Sequence, residues 1–80
     1  MTLYNMRSLK NGYRIVKFDE FINPIAFYEL SETRSHLNCN CMAGNKPTCR
    51  HREMADIFIK SKNVDSGRFF DYEAKKWVRI

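Results

Sequence analysis

The sequence predicts a small α+β domain in which antiparallel strands are followed by one helix and a C-terminal hairpin. Three observations carry that expectation. The first third of the chain is rich in β-branched and aromatic residues interrupted by turn signals. One stretch only, about Cys49 to Lys60, spaces its apolar residues at a helical period. The length, 80 residues, suffices for one domain and not for two. A composition of 44% hydrophobic and 14% aromatic residues excludes a chain too polar to bury a core.

The elements follow in order. Tyr13 to Phe18 (YRIVKF) reads as a strand, and Lys10-Asn11-Gly12 ahead of it carries the Asn-Gly turn signal. A partner strand over about Leu3 to Leu9 completes a hairpin, although its pattern does not alternate clearly. Asn23-Pro24 marks the next break. Beyond it Ala26, Tyr28 and Leu30 alternate with Phe27, Glu29 and Ser31, the period of a half-buried strand. A further strand is expected from about Arg34 to Asn38, running into the first cysteines. Met42 to Pro47 (MAGNKP) reads as a loop, and Thr48 suits the N-cap of the helix. On that helix Met54, Ala55, Ile57 and Phe58 form an apolar stripe with His51 on the same side, and Lys60 and Lys62 suit its C-terminus. Phe69 to Tyr72 and Trp77 to Ile80 are the expected strands of the terminal hairpin, with Glu73 to Lys76 turning between them; a helix over Glu73 to Trp77 is the alternative. Phe69 and Phe70 point to opposite faces of such a strand, and Trp77 is expected to anchor the packing.

Three cysteines cannot all pair internally. Met1 to Lys10 has no apolar segment of the signal-peptide kind, and no stretch approaches the ~20 apolar residues of a membrane span. An intracellular, reducing location is therefore expected, cytoplasmic in character. Clustered cysteines there serve metal or redox chemistry more readily than structural disulfides.

The cluster is Cys39-Asn40-Cys41, a seven-residue gap, then Cys49-Arg50-His51. A structural zinc ion takes four thiolate or imidazole ligands at tetrahedral corners. Residues i and i+2 of an extended segment share a face, so Cys39 and Cys41 can reach one ion from a strand end. Residues two apart on a regular helix diverge by about 200°. Cys49 and His51 therefore cannot both be mid-helix ligands, but they can converge if Cys49 lies at the helix entrance and His51 in its first turn, where the Thr48 cap places the helix start. A redox Cys-x-Cys with Cys49 as a third thiol remains an alternative. So does a catalytic Cys-His pair, which would need an orienting third group and a cleft. His36, three residues before Cys39, is a surface or supporting histidine, or a substitute ligand.

Cys39-x-Cys41 followed by Cys49-x-His51 resembles the SWIM-type zinc finger, a Cys-x-Cys, a variable gap and a Cys-x-His. The order agrees: a strand enters the first pair and an apolar-faced helix leaves the second. The resemblance covers about Phe27 to Ile59, a zinc-finger core over roughly residues 27–60 of a single domain spanning 1–80. SWIM fingers usually sit inside larger proteins, whereas this one carries its own N-terminal strands and C-terminal hairpin. The chain is also similar to small uncharacterised bacteriophage proteins that bear such a finger, which would put it in a host cytoplasm. The resemblance implies a zinc-stabilised unit, with one helix after the zinc knuckle, that binds nucleic acid or protein. It does not imply an enzyme, because four protein ligands leave no open position for water.

The formal net charge is +5, with an isoelectric point near 9.3, a balance that suits a polyanion although the basic residues are dispersed. Arg34, Lys46, Arg50 and Arg52 lie around the cluster and are the expected nucleic-acid contacts. In the competing reading they pair with Glu53, Asp56 or Glu32, or offset the thiolate charge of the site. The alternative partner is a protein, a larger enzyme modulated by a zinc-stabilised interaction module.

Overall fold

The computed structural model describes residues 2–32, 37–39 and 50–78; for Glu32 and Leu37–Cys39 it describes the backbone alone. Strands β1 (Leu3–Leu9), β2 (Gly12–Phe18), β3 (Pro24–Glu32) and β4 (Leu37–Cys39) precede helix α1 (Arg50–Lys60). Strands β5 (Phe69–Asp71) and β6 (Lys76–Val78) follow it. All six strands join one sheet in the order β4-β3-β2-β1-β5-β6. The described neighbours pair antiparallel, and the fold is α+β as expected.

β1 and β2 are the central pair. Tyr4 pairs with Lys17, Met6 with Ile15 and Leu9 with Gly12. The Leu9–Gly12 pair puts Lys10 and Asn11 at the turn, so Gly12 belongs to the strand rather than the turn centre. Its role is close approach: a Cβ there would overlap the Leu30 carbonyl oxygen of β3 and lie 3.1 Å from the Leu30 carbonyl carbon. The β2–β3 turn is organised by Asp19, whose carboxylate accepts hydrogen bonds from the backbone N–H of Phe21 and of Asn23, each at 2.9 Å. Ile22 reaches a φ of 64° within it. The register then shifts by one residue at Lys17/Phe18, so that Phe18 faces Pro24 and Lys17 faces Ala26.

Helix α1 covers one face of the sheet through His51, Met54, Ala55 and Phe58, an i, i+3, i+4, i+7 stripe. Beneath it lie Tyr4, Met6, Ile15, Leu30 and Phe70, residues of one pleat parity across β1, β2, β3 and β5. Phe58 meets Phe70 and Trp77 edge to face, with ring centroids 6.1 and 5.0 Å away, so Trp77 does anchor the terminal hairpin. The helix ends with Lys62 at a φ of 59°, while Asn63 N–H bonds the Phe58 carbonyl at 2.9 Å and Lys62 N–H the Ile59 carbonyl at 3.1 Å. That double closure is a Schellman ending. The chain then returns along the part of β1 that the short β5 leaves open: Asp65 N–H bonds the Met6 carbonyl, and the Asp65 carboxylate accepts from Ser8 N–H.

Candidate metal centre at the strand end and helix start

His51 is the second residue of α1 and is buried, only 7% exposed. Its ring lies on that of Tyr28 in β3, with centroids 3.8 Å apart and planes inclined by 23°. Tyr4 of β1 meets the same ring edge-on at 6.5 Å. Two aromatic neighbours from two strands thus fix the imidazole. Burial holds its pKa down at about 4, with the Arg50 and Lys17 charges adding to the effect. The imidazole is therefore neutral at physiological pH, the form that can ligate a metal.

Strand β3 connects this histidine to the first cysteine. Two residues beyond Tyr28, on the same face, Leu30 is buried, and its backbone partner across the ladder is Cys39, the last residue of β4. β4 packs against α1. The strand that bears Cys39 and the helix that bears His51 are therefore neighbours. Cys41 and Cys49 lie outside the described residues, as do the Thr48 cap, the Met42–Pro47 loop and His36. Among the described residues no group of three or more His, Cys, Asp or Glu side chains comes together.

The first turn of α1 is clasped by the C-terminal hairpin. The Tyr72 hydroxyl donates to Glu53 at 2.9 Å, and the Lys75 ammonium reaches the other Glu53 oxygen at 3.4 Å. Lys75 also lies over the Tyr72 ring, 3.3 Å from its centroid. Arg50 approaches that ring at 5.9 Å and hydrogen-bonds the Tyr4 hydroxyl, whose pKa is raised chiefly by burial. The Tyr72 hydrogen bond, followed by the Lys75 charge, holds the Glu53 carboxyl below its ordinary range.

Of the four expected nucleic-acid contacts, Arg34 and Lys46 lie outside the described residues. Arg50 is exposed yet turned toward Tyr4 and Tyr72, and Arg52 is half-buried. The described salt bridges give Glu53 to Lys75 and Asp56 to Lys60, at 3.4 and 2.9 Å. Sequence reasoning did not single out Tyr28 and Tyr4 as the rings that seat His51, nor Tyr72 and Lys75 as the clasp. The only signal for the first was that Tyr28 shares the parity of Leu30 on an alternating strand. The second joins residues 19 apart in sequence and had none.

No helix among the described residues is long and apolar enough to cross a membrane. Neither the known protein-family models, nor the curated proteins, nor the solved structures contain a match to this chain.

Proposed function

We propose that this chain is a zinc-stabilised binding module. In it Cys39, Cys41, Cys49 and His51 hold one structural zinc ion, and the basic surface beside them contacts nucleic acid. The observation that carries the reading is the contact of β4 with α1, together with His51 buried in the first turn of that helix and stacked on Tyr28 of β3. The spacing of the four residues and the likeness to a SWIM-type finger support the same ligand set. A domain this small commonly draws part of its stability from a metal, and an ion here staples the strand edge to the helix that covers the sheet.

Four protein ligands close the coordination sphere, so the module is a binder and not an enzyme. Three thiolates and a neutral imidazole around Zn²⁺ leave a local charge of −1 within a chain whose formal net charge is +5. Arg34, Lys46, Arg50 and Arg52 are the residues assigned to the polyanion. Binding to DNA and RNA measured at rising salt tests this. Affinity should fall steeply, since phosphate contacts release counterions. Absence of binding even at low salt would refute the nucleic-acid part of the reading and leave a protein partner in its place.

A further inference from the structure

Helix α1 covers one face of the sheet, and among the described residues no helix covers the other. That second face has an unusual content. By register Phe27 pairs with Val16, Val16 with Asn5, and the next strand continues the row with Phe69. Phe27 is 59% exposed. Phe18 and Phe69 are half-buried and meet edge to face at 5.1 Å above the β1 backbone that carries buried Leu3. The adjoining row runs Glu29, Arg14, Arg7. Arg7 and Arg14 stand directly opposite one another, a like-charge pair that costs stability unless an anion joins it. Glu29 lies 3.7 Å from Arg14, with both side chains about half exposed, and the Asp65 carboxylate lies within electrostatic reach of Arg7. Among the described residues, two polar atoms on this face are buried without a hydrogen-bond partner: Nε of Arg14, a donor, and Oδ1 of Asn5, an acceptor on a side chain more than nine-tenths buried. Buried polar atoms are nearly always paired, so an unpaired donor and an unpaired acceptor on one face call for a cause.

We propose that this second face, buried at Leu3, Asn5 and Val16 and exposed at Phe27, binds single-stranded nucleic acid, with bases stacked on Phe27 and on the Phe18–Phe69 pair and a phosphate held by Arg7 and Arg14. The residue chemistry selects the partner. Flat aromatic rings accept any base by stacking, paired arginines accept a phosphate, and the chain carries excess positive charge. An aliphatic protein surface would gain nothing from an Arg–Arg pair and an unpaired Asn at its centre. The strand must be single, because a duplex keeps its bases stacked on each other and unavailable to side chains. Phe27 and Phe69 are three interstrand steps apart, about 14 Å, a distance that a short oligonucleotide spans. The exocyclic amine of a base bound between them donates to Asn5 once its side chain turns outward. This face lies across the sheet from the zinc side, and the inference shares with the preceding reading only the class of partner.

The test is fluorescence anisotropy of a labelled oligodeoxycytidylate of about ten nucleotides, a length such surfaces cover, titrated with the full zinc-loaded chain. A duplex of the same length and the variants Phe27→Ala, Phe27→Trp, Arg7→Gln and Arg52→Gln are run in parallel. The expected result is binding of the single strand over the duplex. Phe27→Ala should weaken it by about 10- to 100-fold, with an unchanged melt because the ring is mostly exposed. Phe27→Trp should preserve binding, and Arg7→Gln should reduce the salt slope by about one. If Phe27→Ala binds like the parent while Arg52→Gln does not, the second-face inference fails and the zinc-side reading stands. A preference for the duplex also overturns the inference. If no oligonucleotide binds and the Phe27 surface instead mediates self-association in sedimentation, both fail.

Discussion

Replacing Gly12 with alanine places a methyl carbon against the backbone of β3. The new Cβ would overlap the Leu30 carbonyl oxygen, with the Leu30 carbonyl carbon at 3.1 Å and Ser31 Cα at 3.3 Å. Neither obstacle is a side chain that can rotate away. Either β2 lifts from β3 or the carbonyl tips out of its ladder hydrogen bond. Overpacking of this kind costs about 2–3 kcal/mol. A domain of this length has about 4–12 kcal/mol in total on the usual per-residue scale, and the loss converts to a fall of roughly 8–20 °C in Tm. The damage is also directed, because Leu30 pairs with Cys39 and Ser31 with Asn38. Displacing those carbonyls disturbs the edge from which β4 presents its cysteine, so metal affinity should fall together with stability. The control is Gly67→Ala. Gly67 has a φ of 76° and open space around its missing Cβ, so alanine there brings only the left-handed strain of about 1 kcal/mol. Thermal melts followed by circular dichroism decide the matter. A Gly12→Ala variant that melts no lower than Gly67→Ala would refute the close-approach argument.

Two further perturbations test the packing and the clasp. Phe58 is fully buried between Phe70 and Trp77, so Phe58→Ala should cost about 3–5 kcal/mol in urea unfolding, and a loss under about 1 kcal/mol would show that the hairpin does not close over the helix. The Glu53 carboxyl is held below its ordinary pKa by Tyr72 and then Lys75, and Asp65 by Ser8. A carboxyl whose folded pKa is depressed contributes stability above its unfolded value and loses it as pH falls through the folded value. The urea midpoint should therefore drop as pH falls below about 4.5. Glu53→Gln, which still accepts the Tyr72 hydrogen bond, should flatten that acid limb; an unchanged limb would contradict the assignment.

How much was legible in the sequence varies with the physics of each element. β3 announced itself because one of its faces is covered and the other open, so Leu30 is buried while Phe27, Glu29 and Ser31 are exposed. β1 showed no clean alternation for the opposite reason: at the centre of the sheet, Leu3, Tyr4, Asn5 and Met6 are all buried. The helix start was readable from its stripe, and His51 falls in its first turn as the ligand spacing demanded. The order of the strands was not readable. Placing β5 beside β1 joins residues far apart in sequence, and no local pattern encodes that pairing. Gly12 was misread for a similar reason. Asn-Gly is a turn signal in itself, but the close approach that requires glycine comes from β3 and is visible only in three dimensions. The seat of His51 on Tyr28 depends on the same tertiary register. The ligand set and its basic neighbours came from spacing and residue chemistry, which reach only as far as the strand end and the helix start.

The central claim is that a zinc ion staples those two elements, and metal content coupled to folding tests it most directly. Native mass spectrometry of the purified chain, with metal analysis, should find about one zinc per chain. Chelation should collapse the cooperative melt, since metal binding in closed sites of this kind is itself folding free energy. His51→Ala and Cys49→Ser should lose both the metal and the melt. A metal-free chain that melts as cooperatively and at the same temperature as the zinc-treated one would contradict the account.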